Sequence, residues 1–372
     1  MRARSIASEA WRNLLSGTTA AALLGIVLFA GLTALTVLDA RTIVQNNQDL
    51  ARWRGVGASV VTLSAPGSVD GAACEALSSS SHITAVGAGR SIPNGVAITA
   101  LPSASPPLWE VTPGLATLLT TRAQGWPAPA LPASSTAETE SGGLLLSQSL
   151  FETLGRGPGG LVETADGPAT VAGVFPAPDD GRDNTLSYAA LAQVPATGRF
   201  DFCWAEVWPP DPATAEALRA VIAAGTPPDT NVNVQQLNTS MGATIDPVTR
   251  YQQRLTRSAP SAAALFGLAV GFVAVRRRRL ELASALHAGV TRTAITAQLM
   301  LETLAWTTGA VILAGPLVWW AVATDNPYPV GPGLAVAAMT ILAGVLGAWA
   351  GILVGLSVTH ESHLFRYFKT RT

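Results

Sequence analysis

The chain has 372 residues, of which 48% are hydrophobic and only 13% are charged, and its mean hydropathy is +0.33. Soluble domains usually carry about 25% charged residues, so this composition indicates a membrane protein. The net charge is −1, and the positive charges lie beside hydrophobic segments. This distribution argues against a nucleic-acid partner.

Four stretches are long and apolar enough to cross a bilayer, which takes roughly 20 helical residues. Their predicted bounds are 18–38, 258–275, 303–323 and 334–358. The first is too long for the apolar part of a secretory signal, and no clear small-x-small cleavage site follows it. We therefore interpret it as a retained anchor.

Basic residues near the span ends predict the orientation, because they favour the cytoplasmic side. They are Arg2, Arg4 and Arg12 before the first span, Arg276–Arg279 and Arg292 between the second and third, and Arg366, Lys369 and Arg371 after the fourth. The loop 324–333 has none. We therefore predict a multi-pass protein of the plasma membrane. We expect both termini in the cytoplasm, together with the loop between spans two and three (1–17, 276–302 and 359–372). We expect residues 39–257 outside.

The outer segment 39–257 is long enough to fold around its own core. Its patterns predict a strand at 58–65, a helix at 68–77 and a strand at 82–88, and then a second strand–helix–strand unit that begins at Phe200–Trp208 and ends at 231–237. Two such units separated by an insertion fit a split ferredoxin-like sandwich. The fold class is therefore four transmembrane helices with a large α+β extracytoplasmic domain between spans one and two.

The insertion, roughly 96–198, is predicted to be β-rich. Residues 161–165 and 169–175 flank Asp166-Gly167, a hairpin signal. The run 179–184 lacks the spacing and closing Glu of a calcium loop, so we expect a solvated turn. Polar helices at 40–54 and 247–257 are expected to be stalks between the domain and the bilayer.

Cys74 and Cys203 both fall in the outer segment, where a disulfide can persist. They form either a disulfide or two separately buried small apolar residues, and the sequence leaves both readings open.

In the fourth span Gly347, Gly351 and Gly355 recur every four residues. Such spacing forms a flat face that lets another helix approach closely in lipid. The alternative is a span that is glycine-rich only because the whole chain is.

No motif for catalysis stands out in the sequence. The run Gly155–Gly160 matches a dinucleotide glycine pattern, but it follows a helical stretch and precedes a strand, so we interpret it as a turn. There is no G-x-x-x-x-G-K-[ST] phosphate loop, no Ser/His/Asp set and no zinc spacing. We therefore predict that the chain is not an enzyme and that it holds no metal or cofactor.

Residues 276–305, RRRRLELASALHAGVTRTAITAQLMLETLA, resemble the cytoplasmic segment of MacB/FtsX-type ABC transporter permeases. Glu281 takes the acidic position of that pattern, Ala283 the small one and Gly289 the helix-ending glycine, and Glu302 follows at the third span. Residues 9–15 before the first span are similar to the amphipathic N-terminal helix of this family. Residues 144–175 resemble the outer domain of its MacB group.

The resemblance implies that ATP and Mg²⁺ bind in a separate cytosolic ABC ATPase, which docks on the helix around 280–292. The docking residues expected from it are Glu281, Leu282, Ser284, Ala285, Gly289, Thr291 and Arg292. From the residues alone, 280–286 are helix-compatible, preceded by four arginines and followed by Gly289. The alternative is that this segment is only a positive anchor.

As further partners the resemblance implies a second permease copy or paralogue in a dimer, and an extracytoplasmic adaptor protein. Its function would be mechanotransmission, with export or displacement of a peptide, antibiotic, lipoprotein or other hydrophobic ligand. The alternative function is that of a non-transporting FtsX-like regulator, whose outer domain activates a cell-wall hydrolase.

Overall fold

The structure is a computed structural model that describes residues 3–16, 20–121, 143–155, 159–242 and 244–360. The predicted basic residues Arg2, Arg366, Lys369 and Arg371 lie outside the described residues, as do residues 156–158 of the glycine-rich turn. The chain divides into two compact units, Met1–Asp49 with Val248–Thr372, and Leu50–Pro247. We call the first the membrane unit and the second the head.

The helices are α1 (Ala3–Leu15), α2 (Ala21–Gly55), α3 (Gly71–Ala76), α4 (Pro113–Thr121), α5 (Gln148–Leu154), α6 (Thr214–Arg219), α7 (Pro247–Gln252), α8 (Ala259–Arg277), α9 (Arg279–His287), α10 (Arg292–Ala323) and α11 (Val330–Ser357). The strands are β1 (Val60–Asp70), β2 (Ile83–Ile92), β3 (Leu108–Val111), β4 (Leu144–Ser147), β5 (Leu161–Thr164), β6 (Gly167–Phe175), β7 (Ala190–Gln193), β8 (Arg199–Val207) and β9 (Asn233–Gln236).

Helices α2, α8, α10 and α11 are each long and apolar enough to cross a membrane, which confirms the prediction of four membrane helices. Helix α8 has a proline in its first turn, where the missing N–H is not needed, and it ends among the arginines. Helix α10 begins at the Thr291 cap, whose hydroxyl accepts a hydrogen bond from the Ala294 N–H. Helix α2 continues to Gly55, well beyond its predicted span.

The centre of the membrane unit is an apolar cluster contributed by all four of these helices. Its buried members are Leu24, Leu28, Leu32, Ala263, Val270, Trp306, Ala310 and Ala348. Large side chains such as Leu265, Leu313 and Leu346 point away from it and are more than half exposed, as expected of a surface that faces lipid.

The head contains a nine-stranded sheet in the order β5-β6-β4-β7-β3-β2-β8-β1-β9. At one end β2, β8, β1 and β9 are antiparallel neighbours. Because β1-α3-β2 and β8-α6-β9 are two strand–helix–strand units whose strands alternate in the sheet, this part has the split ferredoxin-like arrangement that the sequence predicts.

The insertion belongs to the same sheet. Strand β3 pairs antiparallel with β2 and parallel with β7, so the two parts of the head share one continuous set of hydrogen bonds. Strands β5 and β6 form the predicted hairpin. The insertion also contains α5, which is the helical stretch expected before Gly155, and α4, which the sequence did not predict.

The first helix of the head is shorter than predicted, because β1 runs on to Asp70. The Asp70 carboxylate accepts a hydrogen bond from the Ala73 N–H and caps α3 at this point. Gly71 follows beneath the Phe200 ring, where a Cβ atom would overlap the ring. The start of α3 is therefore set by the capping carboxylate of Asp70 and not by the apolar pattern, which predicts a start at residue 68.

The run 179–184 is the turn that the sequence predicts, with Asp179, Gly181, Asp183 and Asn184 exposed, but two of its side chains are held inward. Arg182 donates to Asp180 at 2.9 Å through Nε, and both side chains are 14% exposed. Asn238, buried, donates its amide to the carbonyls of Asp180 and Val56 at 3.1 and 2.9 Å. The Asn238 amide therefore joins this turn to the residue that follows α2.

A disulfide connects Cys74 on α3 to Cys203 on β8, with Cα atoms 6.1 Å apart. Both cysteines are fully buried in a cluster with Leu63, Phe200 and Leu218. The bond links residues 129 apart in sequence, and it fastens the first strand–helix–strand unit of the head to the second.

Candidate functional site

Helix α9 is a short helix set between two long ones in the membrane unit. Its end is fixed by Gly289, whose φ of +85° suits glycine. The Gly289 N–H donates to the Leu286 carbonyl at 3.0 Å, and the Val290 N–H donates to the Ala285 carbonyl at 3.1 Å. The chain then turns into α10. We call the end of the membrane unit that holds Arg276–Arg279 and α9 the arginine-rich end.

One face of α9 is buried and the other is exposed. Leu282 and Ala283 are buried, and Leu282 packs with Val275 of α8, Ile295 of α10 and Ile352 of α11. On the other face Glu281 and Ser284 are exposed, as are Gly289, Thr291 and Arg292 beyond the helix. Of the predicted docking residues, these five therefore form an accessible surface, whereas Leu282 holds the helix in place and Ala285 is half-buried.

Arg278, at the junction of α8 and α9, is the centre of a polar network. Its Nη1 lies 2.5 Å from the Glu302 carboxylate of α10, and both side chains are less than 10% exposed. Its Nε and Nη2 donate to the two carboxylate oxygens of Glu281 at 3.0 and 2.6 Å. A bidentate pair of this kind fixes the orientation of the guanidinium.

Glu302 receives two further hydrogen bonds. The amide of Asn13 on α1 donates to its Oε1 at 2.9 Å, and the amide of Gln298, one turn earlier on α10, donates at 3.2 Å. A buried carboxylate is tolerated only when it is paired and hydrogen-bonded, and Glu302 meets both conditions. It thereby connects α1, the α8–α9 junction and α10.

The electrostatics of Arg278 follow from these contacts. Burial lowers the pKa of the guanidinium, but the hydrogen bond to Glu281 and the negative charges of Glu302 and Glu281 outweigh it, so the pKa is raised above its ordinary value. The guanidinium therefore stays charged.

Sequence reasoning recognised Glu302 and the run of arginines but not their pairing. The sequence alone does not distinguish the four consecutive arginines from one another. Arg278 is buried because it lies at the junction of α8 and α9. Asn13 and Gln298 carry no motif. One signal for Gln298 was available, since it precedes Glu302 by four residues and therefore shares its helix face.

The predicted glycine face on α11 packs against α8. A Cβ atom on Gly347 or Gly351 would overlap the carbonyl oxygens of Ala264 or Leu268, and one on Gly355 would crowd Val275. The roles of these glycines in packing are therefore visible as backbone contacts.

No family model matches the chain, and no curated protein matches it. Among solved structures, the periplasmic region of MacB from Actinobacillus actinomycetemcomitans is similar over 51% of this chain and 94% of that one, with 13% identity and a TM-score of 0.35. The extracellular domain of the noncanonic ABC-type transporter YknZ from Gram-positive bacteria is similar over 48% of this chain and 100% of that one, with 14% identity and a TM-score of 0.30. These structural neighbours are of the type that the sequence resembles. The likeness is low by both measures, and it identifies no ligand.

Proposed function

We propose that this chain is the permease subunit of an ABC-type transporter that works by mechanotransmission. ATP and Mg²⁺ bind in a separate ATPase, which docks on the exposed face of α9. The observation that carries the proposal is the combination of this accessible face with the Arg278–Glu302 network directly behind it. A force on α9 acts on Arg278 through Glu281 and so reaches α1 and α10.

The orientation that this function requires places the arginine-rich end in the cytoplasm. It is supported by the basic residues at that end and by their absence from the loop 324–333 between the third and fourth membrane helices. Both termini then lie in the cytoplasm and the head lies outside the plasma membrane.

Helix α2 supports a mechanical link to the head, because it is one uninterrupted helix from Ala21 to Gly55. Its last turn is held by the head itself. Trp53 is buried and donates its indole N–H to the Gly242 carbonyl at 3.3 Å, and Arg54 pairs with Glu206 at 3.1 Å. Movement of this last turn would therefore act on the strand that carries Glu206.

The ligand class we propose is a peptide, antibiotic, lipoprotein or other hydrophobic molecule that the head displaces outside the lipid. The membrane-crossing parts of the four helices (21–38, 259–275, 303–323 and 330–357) contain no charged residue. Charged residues inside a membrane usually mark a polar path, so these segments do not favour a path for a hydrophilic ligand. A second permease copy or paralogue and an extracytoplasmic adaptor complete the proposed assembly.

The docking role is tested by copurification of the ATPase with the full chain. Ser284→Trp places a bulky ring on the exposed face of α9 without touching the Arg278–Glu302 pair, so we expect about a tenfold loss of bound ATPase, equivalent to roughly 1.4 kcal/mol. Ser79→Trp, at an exposed site in the head, is the matched control and should bind normally. Normal binding by the Ser284 variant would contradict docking at α9.

The orientation is tested separately with a membrane-impermeant maleimide on intact cells. Cys74 and Cys203 are disulfide-bonded, so a single added cysteine is the reactive thiol. Ser79→Cys should be labelled from outside, and Ser284→Cys only after the cells are opened. Labelling of Ser284→Cys in intact cells would refute the topology and, with it, the docking of a cytosolic ATPase.

A further inference from the structure

Helices α8 and α11 are in contact backbone to backbone. Glycines on both helices make the contact. Cβ atoms on Gly267 and Gly271 of α8 would overlap the carbonyl oxygens of Gly344 and Ala348 of α11, just as Cβ atoms on Gly347 and Gly351 would overlap α8. We call this contact the glycine seam. It extends from Ala263 to Val275 on α8, which is roughly 18 Å at the rise of an α-helix.

Within one register of the two helices, a seam of this kind leaves few ways to move. Contacts between ordinary side chains can rearrange by rotamer changes, but here backbone atoms of one helix fit directly against backbone atoms of the other. Glycines elsewhere differ. A Cβ atom on Gly309 or Gly315 of α10 would meet nothing within 4 Å, so α10 has no comparable contact at these positions.

The two ends of α8 are tied to other helices by buried ion pairs. At the arginine-rich end, Arg278 pairs with Glu302 of α10. At the opposite end, Arg254, just before α8, donates to the Asp39 carboxylate of α2 at 2.9 Å, with side chains 7% and 2% exposed. Arg254 is itself held by the Tyr251 carbonyl at 2.8 Å and by the Tyr251 ring, 4.0 Å away.

The other ion pairs at this second end are weaker. The pairs Arg250–Asp49 and Arg41–Asp325 are exposed and longer, at 3.5 and 3.9 Å, so water and salt screen them. Helix α10 meets α11 there through apolar side chains, including Val318, Val322 and Ala337, which lipid tails can replace at little cost.

We propose that α8 and α11 move as a single rigid lever, which pivots at Arg278–Glu302 and pulls on α2 through Arg254–Asp39. This inference rests on the proposed function for the source of the movement, but the rigidity itself is a property of this chain alone. Arg254, Asp39 and the seam glycines act as positioning residues. The lever turns a push on α9 into a displacement of α2, the helix that continues into the head.

The rigidity is tested with spin-label pairs on the full chain in lipid nanodiscs. Labels at Leu265 of α8 and Leu346 of α11 report on the seam. Labels at Leu265 and at Leu313 of α10 are the control pair, which reports on movement of α8 relative to α10. All three side chains are more than half exposed, so the labels fit without repacking. We expect the seam pair to give a distance distribution about half as wide as the other pair, since close packing removes conformers. Equal widths would overturn the lever.

The movement is then tested in the complex with the ATPase, before and after trapping with ATP and vanadate. The Leu265–Leu313 distance should change by about 2 Å, the scale of helix shifts in switching proteins, while the Leu265–Leu346 distance stays constant. A change at the seam as large as at the control pair would refute the lever and leave the proposed function standing. The proposed function would be refuted if neither distance changed on trapping. If the seam pair still gave a narrow distance distribution in the chain alone, the rigid pair of helices would remain.

Discussion

The pair between Arg278 and Glu302 predicts a strongly non-additive double mutant. Glu302→Ala leaves the Arg278 guanidinium buried with only the half-exposed Glu281 as its partner. It also removes the acceptor of the Asn13 and Gln298 amides. Breaking one half of a buried ion pair costs roughly 3–5 kcal/mol, and because Glu281 remains we expect about 3 kcal/mol for this variant. Arg278→Ala should cost a similar amount, since it leaves a buried carboxylate with two neutral donors.

The double variant Arg278→Leu/Glu302→Leu removes both charges and fills their space. Such replacements are often neutral or even stabilising by about 1–4 kcal/mol, so its loss should be far below the sum of the single losses. The assay is the free energy of unfolding of the full chain in mixed micelles. Arg219→Ala in the head is the control, because its pair with Glu216 is exposed and should be worth at most about 1 kcal/mol. If Glu302→Ala cost no more than this control, or if the single losses added, the network would not be the buried ion pair described above.

Two further predictions concern the glycine seam of the membrane unit and the disulfide of the head. Gly351→Ala should weaken the α8–α11 seam and lower the thermal stability of the chain in micelles, because its Cβ would overlap the Leu268 carbonyl, whereas Gly309→Ala on α10 should be neutral or slightly stabilising, by up to about 1 kcal/mol of helix propensity. Removing the disulfide with Cys74→Ala/Cys203→Ala should cost the head about 2–5 kcal/mol, measured by denaturant unfolding. Unfolding unchanged by that substitution would contradict the bond.

The features that the sequence predicts well are those set by local chemistry. Hydropathy alone located the four membrane helices, since roughly 20 apolar residues in a row have few other uses. Asp166-Gly167 located the β5–β6 hairpin because its turn needs these residue types. The alternation of strands and helices located both halves of the ferredoxin-like part, although Asp70 moved the first helix start.

The features that the sequence did not predict depend on partners far along the chain. Nothing local shows that β3 pairs with β2 and so joins the insertion to the rest of the sheet. The glycines of α11 were recognised by their spacing, but Gly267 and Gly271 on α8 were not, although they have the same spacing of four residues. The turn at 179–184 was predicted, but the hydrogen bond that Asp180 accepts from Asn238, 58 residues further along the chain, was not.

Ion pairs and glycines have different tasks in the membrane unit, and lipid explains why both are needed. Apolar contacts between helices define their register poorly in a bilayer, since lipid tails are as apolar as leucine. The small residues at 344, 347, 351 and 355 repeat about once a turn, so a shift of α11 by one turn, roughly 5.4 Å, would retain much of the seam. Charges do not tolerate such a shift, because an unpaired buried charge costs several kcal/mol. Arg278 and Arg254 therefore fix α8 against α10 and α2, and α11, packed against both α8 and α10, takes its register from helices that the ion pairs have already aligned.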